Sequence, residues 1–106
     1  MIEASTPALV PVPTVGNVTD HIEQNAAEHG HAAVIAIEHD GTWTDVSATD
    51  FRAQVRAIAK GLIADGVMPG QRVAIFSRTR AEWTLADYAI WYAGAVTVPI
   101  YETSSA

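Results

Sequence analysis

The chain has 106 residues, 49% hydrophobic and 17% charged, which gives one small domain a modest core and argues against disorder along its length. Twelve acids against six bases leave a formal charge of -6, which disfavours nucleic acid as a partner, because phosphate neutralisation needs clustered Lys and Arg. The absence of cysteine removes disulfides, thiolate metal sites and a cysteine nucleophile and fits a reducing cytoplasm, while no apolar run approaches the roughly 20 residues of a transmembrane segment.

Residues 1–16, "MIEASTPALVPVPTVG", read as an extended proline-rich lead-in without the basic start and apolar stretch of a secretory signal. At Asn17, with Asp20 three positions on, a variant of the capping box opens a predicted helix from about Val18 to His29. Val18, Ile22 and Ala26 form its thin apolar stripe, and Gly30 is expected as its left-handed stop. In "AAVIAIEH", residues 32–39, β-branched side chains predict a strand, and Asp40-Gly41 predicts a tight hairpin into "TWTDV". Ser47 and Asp50 repeat the capping pattern, and Phe51, Val55, Ile58, Ala59, Leu62 and Ile63 follow at helical spacing. Arg52, Arg56 and Lys60 line another face, Gly66 ends the helix, and Pro69-Gly70 suits a type II turn. The order of "RVAIFS", the helical "TRAEWTLADYAIWYAG" and "AVTVPI" then predicts a βαβ unit with parallel strands. The fold class is therefore α/β, an antiparallel hairpin followed by a βαβ unit, read as an incomplete part of a larger α/β domain. From Ala81 to Ala93 only Glu82, Thr84 and Asp87 are polar, so the crossover helix needs cover on several sides, and parallel strands need it on both faces. The remaining elements are too few to supply it.

Candidate chemistry is sparse. His21, His29, His31 and His39 invite a metal site, yet without three or four convergent ligands they read better as solvated side chains. Glu82 and Asp87 stand five apart on one helix, on different faces, which argues against paired acid and base work, and Glu82 suits the first-turn dipole instead. Trp43, Trp83, Trp91, Tyr88, Tyr92 and Tyr101 read as packing, since no basic groove accompanies them for stacking bases. "SRTRAE", residues 77–82, joins a strand to a helix where phosphate loops occur and brings Arg78 and Arg80 near a helix start, but it has no glycine to admit a phosphate.

The ordered series from Gly61 to Ser105, "GLIADGVMPGQRVAIFSRTRAEWTLADYAIWYAGAVTVPIYETSS", resembles the N-terminal part of the adenylate-forming (AMP-binding) superfamily. There a "GL" helix end, a "GV-x-PG-x-RVAI" turn and strand, an "EW" helix and a "GAV-x-VP" strand follow one another. Arg80, Glu82 and Trp83, with Tyr101, Glu102 and Thr103 in "VPIYETSS", are similar to long-chain fatty-acid CoA ligases. The resemblance covers residues 17–106 and implies an N-terminal portion that stops before the ATP phosphate loop. It implies fatty acid, ATP, magnesium and coenzyme A for the whole enzyme: a carboxylate attacks the α-phosphorus of ATP, and the CoA thiol then displaces AMP. Such an enzyme is expected in the cytoplasm, with peripheral attachment to a membrane also open.

For this chain the resemblance implies scaffold. Phe51, Val55, Ile58 and Leu62 would pack a helix on the sheet, and Trp83 would anchor the crossover helix. No catalytic, cofactor-binding or metal-binding residue is expected among residues 1–106, and no cofactor is expected to be held by them. The chain alone is expected to be inactive and to self-associate. A truncated interaction protein and a small independent α/β ligand-binding domain are the alternatives.

Overall fold

The computed structural model describes residues 2–104; Met1 and the end of the last connector, Ser105 and Ala106, lie outside the described residues. The elements run α1 (Thr19–Glu28), β1 (Ala33–His39), β2 (Thr42–Ser47), α2 (Ala48–Ala64), β3 (Arg72–Phe76), α3 (Ala81–Tyr92) and β4 (Val96–Ile100). Residues 2–16 form no helix or strand, and Leu9, Val10, Val12 and Val15 are exposed.

The start of α1 carries the reciprocal bonds that its sequence predicts. The Thr19 N–H donates to Asn17 Oδ1 at 2.8 Å, and the Asn17 N–H donates to Asp20 Oδ2 at 3.0 Å. Its buried stripe is Thr19, Ile22 and Ala26, a correction to the expected one, because Val18 precedes the first turn and is 51% exposed. A second correction concerns Gly30. It is absent from the glycines with positive φ, and the helix closes at His29, whose N–H bonds the Asn25 carbonyl at 2.8 Å. Glycine is needed there for room: a Cβ would lie 2.6 Å from Thr49 Oγ1 and 2.9 Å from the Ala26 carbonyl oxygen.

In the hairpin, Asp40 (φ 51) and Gly41 (φ 78) both take positive φ, as a two-residue type I′ turn requires, and His39 pairs with Thr42. A bulge falls between Ala33 and Ile35. Ser47 caps α2, its side chain accepting from the Asp50 N–H at 3.1 Å. After α2, Gly66 (φ 105) makes the stop, while Gly70 (φ 82) and the Gln71 N–H bond to Met68 O complete the expected turn.

β3 and β4 are parallel, with Arg72 opposite Val96 and Phe76 opposite Ile100. The hairpin and this pair remain two separate two-stranded sheets. α2 does not pack on the parallel sheet as expected. It packs on α3 and, less extensively, on α1 and the hairpin, because α3 lies between it and the strands. Ile58, placed by periodicity in the core, is 38% exposed although it lies two turns from the buried Phe51 on the same side of α2.

α3 divides two cores. Leu85 and Ala89 join Ile22, Val46, Phe51, Val55 and Ala59, whereas Ile90 joins Ile75 and Ala95, with Leu62, Val67, Val73 and Trp83 packed around them. The helix thereby finds more cover than its sequence led us to expect: along its length only Glu82 and Trp91 are exposed. The parallel sheet does not. Val73, Ile75 and Thr97 face α3, but Ala74, Phe76, Val96, Val98 and Ile100 on the opposite face are exposed. The Cα radius of gyration, 17.2 Å, reflects this openness and the extended lead-in; a compact chain of this length would have roughly 13 Å.

Candidate functional site

The C-terminal ends of parallel strands are where open α/β sheets bind ligands, since loops diverge there and leave a crevice. In this chain the loop after β3 and the segment after β4 enclose a cleft of about 290 Å³, lined by Ser77, Arg78, Thr79, Trp83, Ile100 and Tyr101 among others. The half-buried Trp83 packs on the second core and forms one wall, so it serves both the crossover helix and the cleft. Tyr101, 84% exposed, stands at the rim.

Charge in this region is largely spoken for. Arg80 reaches Glu82 with two bonds, Nε to Oε2 at 2.7 Å and NH2 to Oε1 at 2.9 Å, as a planar guanidinium fork permits. Hydrogen bonding from Arg80 holds the Glu82 carboxyl below its ordinary range and raises the Arg80 guanidinium in turn. Ser77 Oγ donates to the Arg78 carbonyl at 2.9 Å. What is left to a ligand is the Arg78 cation, the Glu102 carboxylate, the Thr79 hydroxyl, the Tyr101 phenol and an indole wall. These groups can bind, but they include no nucleophile paired with a base, and the turn at residues 77–82 has no glycine on which a phosphate could rest.

Other singled-out residues are dispersed. His21 borders a small cavity with Ile22, Asn25, Phe51 and Tyr88; His29 and His31 are exposed after α1; His39 meets Asp40 at 3.3 Å on the hairpin. No group of three or more His, Cys, Asp or Glu able to hold a metal occurs among the described residues. Asp87 is half-buried on α3, and Trp43, 68% exposed, borders an open groove between the hairpin and residues 78–82. Tyr88 makes edge contacts with Phe51 and Trp91 at 5.8 and 5.1 Å between centroids, which is packing.

One polar cluster went unread in the sequence. Tyr92 Oη donates to Glu23 Oε1 at 2.8 Å, and Glu23 also receives Arg52 at 3.4 Å and Arg56 at 3.9 Å, so α1, α2 and α3 meet at one carboxylate. Desolvation, then the bond to Glu23, raises the Tyr92 phenol to about 12. Two arginines one turn apart on α2 were the available signal that an acid would face them.

Comparison with known proteins gives the chain a context. Residues 22–106 match the family model described as AMP-binding enzyme. A long-chain-fatty-acid–CoA ligase of Mycobacterium bovis, FadD15, is 50% identical over 93 residues, covering 74% of this chain and 16% of the relative. The long-chain-fatty-acid–CoA ligase ACSBG2 of Xenopus laevis is 30% identical over 105 residues, covering 99% of this chain and 14% of the relative. Among solved structures, the fatty acyl-adenylate ligase of L. pneumophila in complex with acyl adenylate and pyrophosphate superposes with a TM-score of 0.72 at 24% identity, over 78% of this chain and 15% of that one. The chain thus spans about one sixth of the length of the curated relatives it matches.

Proposed function

The chain belongs to the AMP-binding enzyme family, and from that premise we propose that residues 17–106 are the N-terminal scaffold of a long-chain fatty-acid CoA ligase, led in by residues 1–16. The identity of 50% with a ligase of that kind, sustained over 93 residues, carries the reading. In the whole enzyme a fatty acid carboxylate would attack the α-phosphorus of ATP, releasing pyrophosphate, and the thiol of coenzyme A would then displace AMP. Neither step is assigned to a residue of this chain. The donor set does not fit magnesium or a triphosphate, since no metal-holding cluster occurs among the described residues and Arg80 is engaged by Glu82. Its contribution is to hold β3, α3 and β4 in place.

The whole enzyme is read as cytoplasmic, with peripheral attachment to a membrane as the alternative, on the strength of the family; among the described residues no helix is long and apolar enough to cross a membrane. Taken alone, the chain self-associates through the apolar outer face of β3 and β4, where Phe76 and Val96 are more than half exposed. The test compares the 106-residue chain with the protein made from its complete reading frame in a pyrophosphate-release assay with long-chain fatty acid and ATP. Activity in the longer protein alone is expected. Saturable micromolar ATP binding by the short chain, or a stop codon directly after Ala106, would overturn the reading.

A further inference from the structure

Neighbouring residues of a strand normally point to opposite faces of the sheet. Val34 and Ile35 depart from that rule: the bulge between Ala33 and Ile35 leaves Val34 without a partner on β2, and both side chains line one cavity. Bulges re-aim side chains in this way beside binding sites. The cavity, about 200 Å³, lies where β1 meets α1, α2 and α3.

The walls of this cavity limit what it can hold. Val34 and Ile35 form one side, and Phe51 and Tyr88, whose rings meet edge to face, form another, an apolar setting suited to a further aromatic ring. His21 and Asn25, both exposed, stand at the mouth, and the half-buried Thr84 adds a hydroxyl from α3. The side chains of Asn25, Thr84 and Tyr88 make no hydrogen bond among the described residues, so each keeps a donor or an acceptor for a guest. No Asp, Glu, Lys or Arg lines the cavity, which leaves the desolvation of an ionised guest without a counter-charge. Its volume falls below the roughly 300–1,000 Å³ of pockets that take drug-sized ligands, which restricts the guest to a single small ring system.

We propose that this cavity is a binding site for a small, neutral, planar aromatic molecule with one hydroxyl or N–H group, of the size of phenol or indole. The ring lies between the Val34–Ile35 wall and the Phe51–Tyr88 pair, and its polar group bonds to the Thr84 hydroxyl. Tyr88 packs on the first core and Trp83 on the second, so this cavity and the cleft after β3 lie on different sides of α3, and filling one does not exclude filling the other. The inference does not depend on the ligase reading, since every wall belongs to this chain.

Methyl NMR of the protein of the complete reading frame, titrated with phenol and with indole, tests it. Saturable shifts with a Kd of about 1 mM or tighter are expected, with NOEs from the probe ring to the Val34 and Ile35 methyls. Val34→Phe, which puts a ring into the cavity from the bulge, should weaken both probes by at least about tenfold. Thr84→Val should weaken phenol by about 2- to 10-fold and leave toluene unchanged. Shifts that do not saturate, NOEs confined to other methyls, or a folded Val34→Phe protein that binds as before overturn the site. A Thr84→Val effect that is absent, or that toluene shares, overturns the placing of the polar group and with it the ligand class.

Discussion

α3 and the sheet of β3 and β4 are both strongly apolar in sequence, yet the helical layer that holds α3 is closed and the sheet is half open. α3 has almost no polar stripe, and its apolar groups are shared between two cores, Leu85 and Ala89 on one side and Ile90 on the other. The sheet has α3 on one face and solvent on the other, with Phe76 64% exposed. Continuous apolar character thus means only that cover is required on every side. Whether the chain contains that cover depends on which elements fold back, and here three helices close on one another before any reaches the outer face.

Four substitutions probe this contrast. Ile90→Ala removes a side chain only 2% exposed that ties α3 to the sheet; it should cost about 2–5 kcal/mol in denaturant unfolding of the chain. A loss below about 1 kcal/mol would mean that the second core is not closed. Gly30→Ala drives a methyl into the Ala26 carbonyl and Thr49 Oγ1 where α1 meets the start of α2; about 1–3 kcal/mol should be lost. Unchanged stability there would show that the helical layer is looser than its contacts imply.

Tyr92→Phe should cost about 1 kcal/mol by breaking the bond to Glu23. It should also remove a pH dependence. The phenol ionises at 10.0 ordinarily and about 12 in the fold, so its contribution is complete below 10 and fades as pH rises through 12. Urea unfolding of the two proteins across that range should converge at the alkaline end. Divergence with rising pH would reverse the sign and refute the assignment.

The smallest effect on unfolding belongs to the open face. Phe76→Ser in the 106-residue chain should shift stability by no more than about 0.5 kcal/mol, while light scattering and hydrophobic-dye binding fall. In a longer protein the same change should destabilise far more, because the face is then covered. A large loss in the short chain would show that the outer face is already packed.

Much of the fold was legible because its signals are local. The Asn17–Asp20 and Ser47–Asp50 caps, the Asp40-Gly41 turn, Gly66 and Pro69-Gly70 each constrain a few consecutive torsions, and each is found as read. Gly30 was misread because glycine serves both positive φ and tight contact, and the contact is with Thr49, nineteen residues on. Ile58 was misread because periodicity marks an apolar side of a helix without saying how far a neighbour extends along it. Of the candidate site, "SRTRAE" was noticed, but its joining with Ile100 and Tyr101 in one cleft depends on the parallel register of β3 and β4.

By itself the sequence determined the element types, their caps and turns, the α/β class and the family resemblance, since these follow from residue order over short spans. Tertiary structure alone decided that α2 lies on α3 instead of the sheet and that Glu23 gathers Arg52, Arg56 and Tyr92. It also decided which face of the parallel sheet stays in water. The reason is that burial and hydrogen bonding between distant segments depend on which surfaces meet, and local propensity is blind to that choice.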